Sequence, residues 1–272
     1  MTYDAADNAS KCYDLAIKTM RENLESFRKE QIGECTLYCG DALEIMPLLP
    51  KSDLAISDVP YALTTGGCGD PKSNKKMSGI FAASNYSNNG QIVTATVPFP
   101  EMMQSIYGSL KSDADCYVMA NDKNVHPLTD AALNAGFQFH NLLVWDKVSP
   151  TANRWYMKNL EFTLYLWKGR AKTINNPSSK QLIRGGVDKV SGHPTEKPVY
   201  LMAEYVSNSS KRGDTVIDPF MGSGTTGVAC VTLGRRFIGI EIDPKFFDIA
   251  CKRIEGAYSN PDMFAETERS TA

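Results

Sequence analysis

Two short segments carry the residue types that can do chemistry. One is Ser57-Asp58-Val59-Pro60-Tyr61, an acidic residue followed by a stiff turn and an aromatic ring. The other is Val216-Ile217-Asp218-Pro219-Phe220-Met221-Gly222-Ser223-Gly224-Thr225-Thr226, an apolar run that passes through an acid into a glycine turn. Glycines there permit unusual backbone angles and let a ligand approach the main chain closely. The first segment suits work on a flat amine, and the second suits the holding of a small cofactor. Together they predict transfer of a group from a bound cofactor to a nucleobase.

The elements around these segments have to place them on one edge. Strands are expected at 36–39, 53–57, 116–120, 137–147, 162–168, 215–217 and 237–242. Helices are expected at 9–31, 42–49, 100–110, 128–135, 199–207, 225–233 and 244–258, from apolar periodicity and the positions of glycine and proline. The stretches 137–147 and 162–168 read as an antiparallel pair at a sheet edge. The helix at 9–31 is expected to pack at the N-terminus or to support a homodimer. Strands alternating with helices imply a mostly parallel sheet covered on both faces, with ligands beyond the carboxyl ends of its strands. Asp41, Asp58, Asp218 and Glu241 all fall at or near such ends.

The cofactor segment alone leaves two ligands open. Gly222, Gly224 and Gly227 can be aligned with a dinucleotide-binding glycine pattern, and Glu241, 19 residues past Gly222, is spaced to grip a ribose diol. A nicotinamide dinucleotide therefore stays in play. Against it, Asp218 would lie where a pyrophosphate must pass, which is repulsive, whereas a carboxylate attracts an amino group. S-adenosylmethionine suits the segment better.

Asp58-Val59-Pro60-Tyr61 resembles the D-P-P-Y signature of DNA amino methyltransferases, which methylate exocyclic amines of adenine or cytosine. Residues 216–226 resemble that family's D-P-F-x-G-S-G-T-T cofactor motif, and His193-Pro194-Thr195-Glu196-Lys197-Pro198 resembles its H-P-T-x-K-P block. The catalytic motif precedes the cofactor motif, as in the beta group of the family. The resemblance implies a circularly permuted Rossmann-like α/β methyltransferase fold, with a mostly parallel seven-stranded sheet and helices on both faces. It implies S-adenosylmethionine as cofactor and DNA as partner. By resemblance Asp41 contacts the cofactor adenine, Glu241 its ribose, and Asp218 its methionine amino group. Phe220 lines that pocket with Gly222, Ser223, Gly224 and Thr225, while Thr195 and Lys197 lie near the methionine carboxylate. The alternatives are a helix cap for Asp41 and core for Phe220, while Thr225 and Thr226 suit caps as well as contacts.

The exocyclic nitrogen is a poor nucleophile because its lone pair is drawn into the ring. Acceptors aimed at its hydrogens, the Asp58 carboxylate and the Val59 carbonyl, would favour a pyramidal nitrogen. Pro60 stiffens the turn and Tyr61 offers a ring for stacking. Val59 stands where the family has proline, but a carbonyl acts regardless of its side chain. Aspartate rather than serine at the first position implies adenine N6 by resemblance. Cytosine N4 is the alternative, followed by RNA or a protein amide as substrate, and then by a non-catalytic DNA-binding module. A duplex base would have to be flipped out to reach the turn.

The chain has 272 residues and a net charge of -2, with 42% hydrophobic and 22% charged residues. It is expected to form a single catalytic domain. No apolar run is long enough for a membrane helix and no signal core opens the chain, so a cytoplasmic location is expected. Seven cysteines without regular spacing suggest reduced thiols and no metal. Charge is uneven: residues 145–197 carry +6, leaving -8 elsewhere. That asymmetry suits a phosphate-facing surface. The segment 149–191 is the expected target-recognition region, with Arg154, Lys158, Arg170, Lys172, Lys180 and Arg184. The Gly-, Ser- and Asn-rich stretch 64–91, with Lys72, Lys75 and Lys76, is expected to be a flexible loop covering the substrate. No endonuclease motif is visible, so a stand-alone modification enzyme is expected.

Overall fold

Successive side chains on a strand point to opposite faces, and here both faces are apolar. Leu54 and Ile56 go one way while Ala55 goes the other; Val216 and Ile217 divide likewise, as do Phe237 and Ile238. Such doubly buried strands belong in a sheet with helices on both sides. The computed structural model has that form and describes residues 23–60, 97–151, 156–186 and 196–259.

In chain order the elements are β1 (Arg28–Ile32), β2 (Cys35–Cys39), α1 (Ala42–Ile45) with a following 3-10 turn (Met46–Leu48), and β3 (Ser52–Asp58). Then come α2 (Phe99–Ser109), β4 (Leu110–Ala120), α3 (Val125–Asn134), β5 (Gln138–Thr151) and β6 (Lys158–Lys168). The chain continues through β7 (Leu182–Arg184), α4 (Val199–Ser209), β8 (Thr215–Asp218), α5 (Thr225–Thr232), β9 (Arg236–Glu241) and α6 (Pro244–Ser259). The sheet order is β1-β2-β9-β8-β3-β4-β6-β5-β7. All strands run the same way except β1 and β6.

The expected class, a circularly permuted Rossmann-like α/β fold, is observed, but the sheet has nine strands rather than seven. The additions are β1 and β7. Arg28–Ile32 was expected to end the first helix, yet it pairs antiparallel with β2 in the register Arg28↔Cys39 to Ile32↔Cys35. Its charged, exposed sequence suits an edge strand. The rest of the expected N-terminal helix, with its packing or dimer role, lies mostly outside the described residues. Three-residue β7 arises within the 149–191 region, where no strand was expected beyond 162–168, and covers the outer side of β5. The antiparallel pair β5/β6 is present, with β5 one place in from the edge.

On one face lie α1, α2 and α3, burying Ile45, Met102, Met103, Ile106 and Leu128 against Ala55, Val118 and Leu164. The other face carries α4, α5 and α6, with Tyr205, Val206, Val228, Phe247 and Ile254 against Leu37, Leu54, Val216 and Phe237. Each large side chain buried in this way contributes roughly 1.5–3 kcal/mol. The result is a rigid sheet whose carboxyl edge holds the loops that carry polar groups. Among the described residues no helix is long and apolar enough to cross a membrane.

Candidate active site

Four neighbouring strands each deliver one acid to the carboxyl edge. In the order β2-β9-β8-β3 these are Asp41, Glu241, Asp218 and Asp58. The four strands are parallel, so the acids share one edge. At 4.7–4.9 Å between strands the row is about 14 Å long. Sequence order scatters these residues across 200 positions; the sheet lines them up.

At one end of the row Asp41 caps α1, its Oδ1 accepting from the Leu43 amide at 2.8 Å. The alternative reading of this residue as a cap is thus realised, without excluding a ligand contact. Next, Glu241 Oε2 accepts from the Gly222 amide at 2.9 Å and Oε1 from the Asp243 amide at 2.8 Å. Burial pushes its carboxyl above the usual range, although these amides pull it back.

Asp218 is 4% exposed. Its Oδ1 accepts from the Phe220 amide at 3.1 Å and its Oδ2 from the Thr226 hydroxyl at 2.6 Å. Thr226 therefore serves the turn rather than facing a ligand, and Phe220 packs partly against the core. Burial pushes Asp218 up to about 7, and the nearby Asp58 and Glu241 charges add to the effect. A buried carboxylate in that position gains from a cationic partner. A pyrophosphate would meet both its charge and that of Glu241, so the donor set fits an ammonium-bearing nucleoside cofactor and not a dinucleotide.

The turn that follows needs its glycines. Gly224 has φ 80°, and a Cβ there would lie 2.9 Å from the Ala250 Cβ on α6. Gly222 also has positive φ, 52°. Arg253 of α6 holds this turn. Its Nη1 donates to the Ser223 carbonyl and hydroxyl, both at 2.8 Å, and to the Thr225 hydroxyl at 3.1 Å. Its Nη2 stands 2.7 Å from Glu196 Oε1, tying the turn to the block that contains Lys197.

At the far end of the row is Asp58, on the α4–α6 face together with Leu54 and Ile56. The Lys197 ammonium contacts Asp58 Oδ2 and stands 3.4 Å from Glu161 Oε2. Glu161 also pairs with Lys147 at 3.1 Å. Burial pushes the Asp58 carboxyl up, helped by Glu161 and opposed by Lys197, and the net direction is upward. Burial also acts on Glu161, but the two lysines outweigh it and hold its carboxyl below the usual range. Val59 is 2% exposed, so its side chain is core and only its main chain can serve a ligand. Pro60 is half-buried.

Glu161 and Arg253 were not among the expected site residues. Glu161 had one signal, an acid set against an apolar strand run. Arg253 had none, because its partners lie 57, 30 and 28 positions away. Lys197, expected beside a methionine carboxylate, is paired with Asp58 and Glu161. Tyr61, Lys72, Lys75, Lys76, Arg154, His193 and Thr195 lie outside the described residues, as does the whole 64–91 stretch expected to be a substrate-covering loop. Among the described residues no group of His, Cys, Asp and Glu could hold a metal.

The expected DNA-facing cations divide. Arg184, 71% exposed at its side chain, ends β7 on the carboxyl edge, 3.4 Å from Asp146. Lys158 opens β6 on the same edge and pairs with Asp122 at 2.9 Å. Lys180, just before β7, is exposed. Arg170 does not join them. It pairs with Asp113 near the start of β4, at the opposite edge of the sheet. Strand β6 runs backwards, so the five steps from Thr163 to Lys168 carry the chain about 17 Å away from the acid row. Lys172, exposed and near Asp113, follows Arg170 to that edge.

Residues 52–252 match the family model described as DNA methylase, of the N6/N4 type. The chain belongs to this DNA methylase family. The type II methyltransferase M2.DpnII of Streptococcus pneumoniae is 34% identical over 76% of the chain and 84% of its own length. The type II methyltransferase M.HinfI of Haemophilus influenzae is 28% identical over 89% of the chain and 73% of its own. The M1.HpyAVI complex with S-adenosylmethionine superposes with a TM-score of 0.61 at 27% identity, over 80% of this chain and 99% of that one. The cytosine-N4-specific PvuII methyltransferase, at 18% identity and a TM-score of 0.63, shares the fold, over 86% of this chain and 96% of that one. The DNA methylase is thus S-adenosylmethionine-dependent, and the nicotinamide alternative is excluded.

Proposed function

We propose that this methylase acts on the exocyclic N6 of adenine in DNA, on a base flipped out of the duplex. The observation that carries the reading is the row Asp41, Glu241, Asp218, Asp58 on consecutive strands. The first three suit, in order, an adenine amino group, a ribose diol and a methionine amino group. The fourth is then left next to the reacting end, with no part of the cofactor to hold.

When bound, S-adenosylmethionine supplies an electrophilic methyl group. The chain's own residues do the rest. Asp58 accepts one hydrogen of the target amine and the Val59 carbonyl accepts the other, which directs the nitrogen lone pair out of the ring plane. Pro60 limits the freedom of that turn. The gain comes from orientation and from acceptors fixed before the base arrives. Adenine is favoured over cytosine because the acceptor at the first position is a carboxylate, where the cytosine members by resemblance carry serine. The aromatic ring of Tyr61 is assigned to stacking on the flipped base. Arg184, Lys158 and Lys180 are assigned to the DNA backbone, together with the cations of the 64–91 segment and Arg154.

The test is transfer of labelled methyl from S-adenosylmethionine to DNA, followed by digestion to nucleosides and mapping at base resolution. N6-methyladenine at a defined site is the expected product. N4-methylcytosine would replace the adenine assignment, and label appearing only in RNA or protein would overturn the DNA reading.

A further inference from the structure

Along the carboxyl edge, beyond the acid row, charge alternates. Asp58 on β3 is followed by Lys197 ahead of α4, then by Glu161 on β6 and Lys147 on β5. The geometry of amine methylation uses only the first of these. Lys197 is deeply buried, with 9% of its side chain exposed, against 23% for Glu161 and 27% for Asp58. A buried ammonium must keep a hydrogen-bonded counter-charge wherever it goes.

Its present position raises a conflict. The Lys197 ammonium contacts Asp58 Oδ2, so it covers part of the carboxylate that the target amine has to reach. A neutral arylamine is a weaker donor than an ammonium and cannot displace one unless the ammonium has somewhere to go. Glu161 Oε2 is 3.4 Å from the Lys197 nitrogen, so a shift of well under one residue's length exchanges one carboxylate for the other. Lys147, 3.1 Å from Glu161 Oε1, keeps Glu161 ionised to receive it.

We propose that Glu161 is a positioning residue that shares Lys197 with Asp58: Lys197 sits on Asp58 in the resting site and passes to Glu161 when the target amine arrives. The lysine keeps Asp58 charged while the site waits, and the glutamate makes it removable. This rests on the reading of Asp58 as an acceptor for the target amine, whichever base carries that amine.

The test uses full-length enzyme, genomic DNA and labelled S-adenosylmethionine, with wild type assayed beside Glu161→Gln and Glu161→Asp. Glu161→Gln keeps the shape but removes the charge, so Lys197 stays on Asp58. The expected result is a kcat lowered by about 10- to 100-fold, the scale on which misplaced reacting groups slow catalysis. Calorimetric affinity for S-adenosylmethionine should be unchanged. Among the described residues the groups facing Asp58 are Lys197 and Glu161, with Asp218 on neighbouring β8 and Tyr205 of α4 near the lysine and glutamate. Glu161 is the negative neighbour that raises Asp58, so its removal should move the acid limb of the kcat profile to lower pH. Glu161→Asp, which keeps the charge, should return most of the rate and the limb to its wild-type position. An unchanged kcat in Glu161→Gln overturns the proposal. So does a lowered kcat with an unmoved limb and no recovery in Glu161→Asp, or a loss of cofactor affinity, since either marks a structural role. Wild-type enzyme that labels no DNA amine overturns the parent reading and this one with it.

Discussion

Removing the Arg253 guanidinium should loosen the cofactor turn from its support. The side chain is 15% exposed and its partner Glu196 only 2%, at 2.7 Å, so both charges are largely out of water. Taking away one member of such a pair costs about 3–5 kcal/mol, because the other charge stays buried after losing this counter-ion. Arg253→Met keeps much of the aliphatic stem, so the loss is of charge and of three hydrogen bonds to Ser223 and Thr225. For a chain of this size each kcal/mol lowers Tm by roughly 2–4 °C. The expected drop is then roughly 6–20 °C by thermal denaturation. Glu196→Gln should cost less, since the amide oxygen still accepts from Arg253. In the double variant most of the second loss should vanish, giving a coupling on the order of 1–3 kcal/mol in the cycle. Titration calorimetry with S-adenosylmethionine should show weaker binding in Arg253→Met, because the Gly222–Gly224 turn is no longer held against α6. Additive effects, or a lowered Tm with cofactor affinity intact, would refute the idea that this pair supports the turn.

Asp58→Asn should lower kcat by about 10²–10³-fold, the scale for losing one oriented polar partner of a reacting group, while calorimetric cofactor affinity holds. Gly224→Ala should destabilise by about 1–2 kcal/mol from the left-handed backbone alone, with more from the Ala250 approach. Gly186→Ala, which meets nothing within 4 Å, should melt like wild type in the same scan. For Asp218 the folded carboxyl is raised to about 7, so this group's ionisation opposes folding increasingly as pH rises from its unfolded range towards 7. A cationic ligand reverses the preference, so S-adenosylmethionine affinity should strengthen as pH climbs through about 7, and Asp218→Asn should flatten that titration. Arg170→Ala should leave DNA affinity and its salt slope unchanged. Arg184→Ala should reduce the slope of log K against log salt by about 1 in a filter-binding series.

The acids of the candidate row were legible in the sequence, but their order in space was not. Asp58, Asp218 and Glu241 each announced themselves by lying at the end of an apolar run. That β8 settles between β9 and β3 is a matter of pairing across some 160 residues, and no local pattern reports it. The same gap explains Arg170 and Lys172. Their composition matches a phosphate-facing stretch, yet the reversal of direction in β6 sends them to the wrong edge. Arg28–Ile32 misled in another way. Its charges fit the exposed face of a helix, and only the free edge of β2 makes it a strand. Glu161 and Arg253 act through partners from distant segments, so nothing in their own neighbourhoods marks them.

An enzyme that must grip a polyanion yet collects acids at its active edge faces an electrostatic conflict, and the depth of the charges resolves it. Asp218 is 4% exposed, and Asp58 is covered in part by a lysine. Outside them stand Lys158 and Arg184, with 42% and 71% of their side chains exposed. A field felt at the surface is set by the outer charges, while a bound ligand inside the cleft feels the inner ones. On the proposed reading, phosphates meet these cations first, each of them held by an acid, Asp122 or Asp146. The inner acids, raised by burial and by one another, are held in readiness for a cofactor that brings positive charge. Once that charge is in place, Asp218 can stay ionised beside Asp58, which Lys197 already holds charged. The order of binding that follows is cofactor before base, since the cofactor's positive charge relieves the repulsion between Asp218 and its acidic neighbours before the target amine arrives.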